Sequence, residues 1–317
     1  MARIHELRLM ARVARLYHEL GLSQSEIAGR LELSQSTVSR LLKRATAERI
    51  VRVVVTHPSG THPELEEGLQ ERYGLLEAMV VETGTGEEAL QRDLGAAAAY
   101  YLETTLKRGD VVGLSSWSAA LLAMVDSMRV LPRPTGSDVV QILGGLGSPE
   151  AEVHAAHLTQ RLAKLVGGVA RLLPAPGVVG SPATRKVLFE DPFVREAMGH
   201  LDRITVALVG IGAIEPSRLL AQSGNVFAPK ELERLRRKGA VGDVCLRFFD
   251  RDGQPVLSEL DERVIGATLD QLRKAQRTIG IAGAPRKYAA ILGALRGRWV
   301  NVLVTNRPTA ESLVNEP

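Results

Sequence analysis

The chain has 317 residues, 45% of them hydrophobic and 24% charged, with a net charge of +4 and a single cysteine, Cys245. That length allows two domains and a sizeable core, and one thiol excludes an intramolecular disulfide framework. No run of 18 apolar residues occurs and the opening Met-Ala-Arg-Ile-His-Glu has helical rather than signal-peptide character, so a cytoplasmic protein without a membrane span is expected.

The positive charge is concentrated at the start. Residues 1–56 hold ten Lys/Arg against five Asp/Glu, which leaves the remainder close to neutral. A first helix is expected over 4–20, with Leu7, Ala14 and Tyr17 facing inward. Residues 22–44 then read as a helix-turn-helix. Ser23 with Glu26 three residues later has the capping-box spacing, and Ser34 restarts the chain as a second cap. Val38, Leu41, Leu42 and Ala45 fall on one helical face, opposite Gln35, Ser36, Ser39, Arg40 and Lys43. Helical hairpins also occur in proteins that bind nothing. Three details favour a DNA reader here: small Ala28 where the helices approach, no acid between Ser34 and Ala47, and the segment's place near one end of the chain, and the local basic excess points the same way. Glu32 stands in the turn where glycine is common, at a cost of about 1 kcal/mol in a left-handed conformation. In this reading Gln35, Ser36, Ser39 and Arg40 face base edges, while Thr37, Lys43 and Arg44 contact phosphates. Residues 50–55 are β-branched and suggest a short strand closing a domain over 1–56, and the proline-rich 57–63 reads as a linker.

From 64 to 317 short apolar runs alternate with helical segments. Strands are expected at 79–82, 110–114, 139–143, 169–173, 205–210, 244–249, 278–282 and 300–305. Helices are expected at 87–107, 117–129, 150–166, 183–198, 229–238, 268–275 and 285–296. This alternation indicates a Rossmann-like α/β domain built on a largely parallel sheet.

Such sheets bind ligands beyond the carboxyl ends of their strands. Ser115, Ser116 and Ser118 follow the second strand and open a helix, as either an anion cradle or a plain cap. Gln141 and Gly144 end the third. Gly210-Ile-Gly212 follows the fifth, but Glu215 occupies the third glycine position of the dinucleotide fingerprint, so no nicotinamide cofactor is expected. Asp243, Arg247 and Lys287 complete a polar set suited to a small polyhydroxylated ligand, with Arg247 alternatively pairing Asp250 or Asp252 in a hairpin. Glu152, His154 and His157 place two histidines at i and i+3 without further ligands of recognisable spacing, and no metal is expected there. No Ser/His/Asp arrangement can be placed.

Taken together these segments resemble the SorC family of bacterial transcriptional regulators, the sugar-binding side of the DeoR-type regulators. The resemblance rests on Leu-Ser-Gln-Ser-Glu-Ile-Ala and Ser-Thr-Val-Ser-Arg-Leu-Leu in the reader. In the large domain it rests on Leu-Pro-Ala-Pro-Gly (173–177), Val-Gly-Ile-Gly-Ala-Ile (209–214), Gly-Ala-Val-Gly-Asp-Val-Cys-Leu-Arg-Phe-Phe-Asp (239–250), Arg-Val-Ile-Gly (263–266), Gly-Ile-Ala-Gly (280–283) and Val-Asn-Val-Leu-Val-Thr (300–305). It implies a phosphosugar-isomerase-like effector domain, operator DNA and a sugar, sugar alcohol or sugar phosphate as partners, and a homodimer or homotetramer. By position it matches Ser115, Ser116 and Ser118 to the family's phosphate-side loop, and Gln141, Gly144, Asp243 and Lys287 to its other pocket segments. The loop departs from the family's common Trp-Gly-Arg/Ser-Thr, because Trp117 and Ala119 stand where glycine and threonine are usual; an unphosphorylated effector is therefore expected as readily as a phosphorylated one. The competing function is a phosphosugar isomerase with a DNA-binding appendage. Asp243 is its one candidate base, and no paired acid is visible.

Overall fold

The computed structural model describes residues 2–48, 50–51 and 60–317, apart from the side chains of residues 2, 3 and 149–153. The chain divides into two compact units, 1–58 and 59–317.

In the first unit α1 (Ala2–His18), α2 (Gln24–Leu31) and α3 (Gln35–Ala47) enclose their own core. Met10, Val13 and Leu16 of α1 close over Ile27, Ala28, Val38, Leu41, Leu42 and Ala45. Tyr17, expected inward, is instead 38% exposed and meets His18 edge-on. The capping box forms: the Glu26 amide donates to Ser23 Oγ at 3.3 Å and the Ser23 amide donates to Glu26 Oε2 at 2.7 Å. Glu32 ends α2 in the left-handed region at φ 56°, ψ 40°. Ser34 then caps α3 by accepting the Thr37 amide at 3.2 Å. Of the expected strand over 50–55, residues 52–55 lie outside the described residues and 50–51 form a bend. Of the expected linker 57–63, residues 57–59 lie outside them, and Pro63 already begins a helix.

The second unit runs α4 (Pro63–Tyr73), β1 (Glu77–Val81), α5 (Glu87–Thr105), β2 (Val111–Leu114), α6 (Ala119–Ser127), β3 (Asp138–Gln141), α7 (Pro149–Val166), β4 (Val169–Arg171), α8 (Pro182–Glu190), α9 (Pro192–Gly199) and β5 (Val206–Gly210). It continues β6 (Gly212–Ala213), α10 (Arg218–Ser223), α11 (Pro229–Arg237), β7 (Ala240–Val244), β8 (Arg247–Asp250), α12 (Leu269–Lys274), β9 (Arg277–Ile281), α13 (Tyr288–Arg296), β10 (Val302–Asn306) and α14 (Arg307–Val314). Among the described residues, seven strands make one sheet in the order β1-β10-β9-β5-β2-β3-β4, every pair parallel. Helices cover both faces, so the strands read as continuous apolar runs rather than alternating ones. Val206 and Leu208 of β5 pack with α5, α6 and α7 on one side, while Ala207 and Val209 pack with α12, α13 and α14 on the other.

Two expectations change. Residues 244–249 are not a strand of this sheet. They fold into the tight β7–β8 hairpin of a separate antiparallel sheet, β6-β7-β8, with Val244 opposite Arg247. Its two-residue turn places Cys245 and Leu246 at φ 52° and 61°, the left-handed geometry that matches strand twist but is usually signalled by asparagine or glycine. The helix expected over 183–198 breaks in two, because Pro192 has no amide to continue α8. Asp191 restarts the chain by accepting the Phe193 and Val194 amides at 2.9 and 3.1 Å.

At the amino ends of the central strands sits a buried ion pair. Arg277 Nη2 lies 3.0 Å from Asp110 Oδ2, with side chains 15% and 9% exposed. Thr205 Oγ1 donates to Asp110 Oδ1 at 2.8 Å, and Arg277 Nη1 donates to Thr105 Oγ1 at 2.6 Å. This network ties β2, β5, β9 and α5 together at the end of the sheet away from the loops that follow β2 and β5.

Candidate functional site

In the first unit the outward side of α3 is polar and open. Val38, Leu41, Leu42 and Ala45 are buried, whereas Gln35, Ser36, Arg40, Lys43 and Arg44 are exposed and Thr37 and Ser39 half-buried. Ser36, Ser39, Arg40, Lys43 and Arg44 line one shallow hollow along the helix. Local bonds hold part of this set. Ser34 Oγ lies 2.9 Å from Ser36 Oγ and 2.8 Å from Thr37 Oγ1, and Arg40 Nη2 is 3.4 Å from Thr37 Oγ1. Arg44 pairs with Glu6 of α1, which raises its pKa. Hydroxyl and guanidinium donors therefore project from one buttressed helix, in the arrangement that suits a major groove.

In the second unit strand order places the other site. After β2 the chain moves outward to β3 and β4, whereas after β5 it moves the opposite way to β9 and β10. The loops that leave these adjacent strands diverge and open a crevice, the position where open α/β sheets bind ligands. A cavity of about 80 Å³ lies there. Ser115, Trp117 and Ser118 enter it after β2, residues 210–212 after β5, Asp243, Cys245 and Leu246 from the hairpin, and Arg286 and Lys287 after β9. Glu87 and Gln91 of α5 and residues 215–217 complete the rim.

Two glycines make the polar groups converge. A Cβ on Gly210 would stand 2.7 Å from Ser118 Oγ, and one on Gly212 would stand 2.1 Å from Asp243 Oδ1. The Gly-Ile-Gly segment thus lets a hydroxyl and a carboxylate approach its backbone closely. The Trp117 indole N–H donates to the Gly144 carbonyl at 3.3 Å, and its ring stacks on His154 with centroids 6.1 Å apart. His154 therefore packs as a structural partner of Trp117; the Glu152 side chain lies outside the described residues.

The electrostatics are those of a desolvated site. Burial raises the Asp243 pKa to about 6, against the Leu246 amide bond (2.9 Å) and the Lys287 charge, which both favour the carboxylate. Burial lowers Lys287 to about 8, helped by Arg286; its ammonium donates to the Ile211 carbonyl at 2.8 Å. Burial also pushes the Cys245 thiol up to about 12. An acid whose folded pKa is raised costs stability once the unfolded chain ionises. The cost is absent below pH about 4, grows as the pH rises, and is complete above pH about 6. Asp243→Asn should therefore stabilise the unliganded protein at pH 7.5 by on the order of 2 kcal/mol, and the gain should vanish near pH 3.5. Thermal unfolding at the two pH values checks this; a destabilised variant at pH 7.5 refutes it.

Of the residues singled out from sequence, Ser115, Ser118, Gly210, Asp243 and Lys287 meet at this cavity, and four do not line it. Arg247 is buried with its Nη1 on Asp261, 2.9 Å from the carbonyl and 3.4 Å from Oδ1; this replaces both the ligand role and the Asp250 or Asp252 pairing expected for it. Gln141 Oε1 accepts the Leu173 amide at 3.2 Å and so secures the next strand's exit. Ser116 is fully buried with no hydroxyl partner among the described residues, and Gly144 acts through its carbonyl on Trp117. Sequence reasoning missed Glu87, Gln91, Ser217 and Arg286. Glu87 and Gln91 carry the only signal that could have found them: they are one helical turn apart, just beyond the β1 end.

Comparison with known proteins gives the same two parts. Residues 57–315 match the sugar-binding domain family, and residues 6–53 match the homeodomain-like domain. The chain is 35% identical to the deoxyribonucleoside regulator of Bacillus subtilis strain 168, over 97% of both chains. It is 32% identical to the sorbitol operon regulator of Klebsiella pneumoniae, over 98% of both. The crystal structure of full-length SorC from Klebsiella pneumoniae superposes with a TM-score of 0.75 at 31% identity, covering 98% of this chain and all of that one. With a helix-turn-helix ahead of a parallel-sheet sugar-binding domain along its whole length, the chain belongs to the SorC family of transcriptional regulators.

Proposed function

We propose that this protein binds operator DNA through α3 and that a sugar, sugar alcohol or sugar phosphate in the β2/β5 cavity governs that binding. The observation that carries the reading is a desolvated carboxylate and two serine hydroxyls converging at the switch point of a chain that also bears a basic helix-turn-helix. A useful switch needs an effector that favours one arrangement of the readers over another by about 1–3 kcal/mol. A single reader of this size makes few base contacts, so a homodimer or homotetramer acting on repeated half-sites in the cytoplasm fits the function. We expect saturating effector to change the affinity of the full chain for its own upstream DNA at least tenfold. Anisotropy titrations across a carbohydrate panel check this; constant affinity throughout removes the coupling.

One observation favours an isomerase as second reading. Asp243 and Lys287, at about 6 and 8, have the mid-range pKa values of an acid–base pair. The named regulators among the relatives weigh the other way. Binding without product would favour the regulator, and turnover of a sugar phosphate the enzyme.

A further inference from the structure

We propose that the cavity selects an uncharged sugar or polyol over the corresponding phosphate ester. This rests on the reading that the cavity holds the carbohydrate effector. Among the described residues, three carboxylates line it, Glu87, Glu215 and Asp243, against two cations, Arg286 and Lys287. Two of these carboxylates and one cation are already paired, Glu87 with Arg286 (Nη2 to Oε1, 2.6 Å) and Glu215 with Arg236, which leaves Asp243 facing Lys287, whose ammonium gives one of its three protons to the Ile211 carbonyl at 2.8 Å. A phosphate dianion would meet no unengaged guanidinium, and it would lie beside Asp243, which is only 9% exposed and poorly screened.

The amino end of α6 is the feature that favours an anion. Ser118 already takes one of its amides, accepting from Leu121 at 3.4 Å. Trp117, buried to 5% exposure and fixed by Gly144 and His154, brings an apolar ring into the same loop. The C–H face of a sugar can rest on that ring. Its hydroxyls can donate to Asp243 and exchange bonds with Ser115 and Ser118, which both donate and accept.

The test is calorimetric titration of the full chain with erythritol, D-ribose and D-sorbitol, each beside its terminal phosphate ester. At least one neutral compound should bind tenfold or more tightly than its ester. If no neutral compound outbinds its ester, the selectivity is overturned and the carbohydrate reading stands; no binding by any of the six overturns both. In Asp243→Asn, folded by circular dichroism, the preference should shrink at least tenfold, through weaker neutral binding and stronger ester binding. An unchanged ratio removes Asp243 as its source.

Discussion

Replacing Ser39 and Arg40 together by alanine should lower specific operator affinity about 100-fold or more, since each good base-edge contact discriminates by roughly 1–3 kcal/mol. Neither side chain belongs to the core of the first unit, which Val38, Leu41 and Leu42 supply from the opposite face of α3. The loss should therefore be one of recognition rather than folding. Binding to random duplex should fall far less and the salt slope should stay nearly unchanged, because Lys43 and Arg44 remain for the phosphates. Anisotropy with cognate and random duplexes separates the two effects. An unchanged ratio of specific to random binding would take base reading away from α3.

The largest stability effect should come from the other end of the second unit. Arg277→Met leaves the Asp110 carboxylate buried beside an apolar side chain, and breaking a buried pair on one side costs about 3–5 kcal/mol. For a domain of this size each kcal/mol moves the midpoint by roughly 2–4 °C, so the Tm should fall by about 6 °C or more. Adding Asp110→Asn should restore much of the loss, because the desolvated charge is then gone. Thermal scans of the single and double variants measure both, and a single variant within about 0.5 kcal/mol of the parent would show the pair to be dispensable. Carbohydrate binding should survive in the single variant, because Asp110 and Arg277 are absent from the cavity lining.

The sequence was legible where local chemistry decides the structure. Ser23 with Glu26 and Ser34 with Thr37 announce helix starts that depend on a few adjacent residues, and those bonds form. Apolar runs for β2, β5, β9 and β10 were equally plain, since both faces of each strand are covered. Legibility failed where long-range packing overrides propensity. Nothing in Val-Cys-Leu-Arg signals a hairpin, because Cys245 and Leu246 are unusual in the left-handed region; the turn is held by the Asp243 carboxylate accepting the Leu246 amide. The destination of Arg247 depends on Asp261, fourteen residues away, which pattern reading has no means to select. Strand-end reasoning found five cavity residues because chain direction alone puts such residues at one edge of the sheet. It could not separate Ser116 from its neighbours Ser115 and Ser118, since alternation sends it into the interior.

The placement of Trp117 has an optical consequence. The chain contains two tryptophans, and neither is in the first unit. Trp299 is held in the interior, its indole donating to the Gly253 carbonyl at 2.9 Å with Arg273 over the ring, and it takes no part in the cavity. Of the two native indole fluorophores, one therefore borders the cavity proposed for the carbohydrate and the other serves as an internal reference, while α3, the proposed DNA reader, carries no indole at all. Emission can thus report occupancy without any label, even on a protein already seated on its operator.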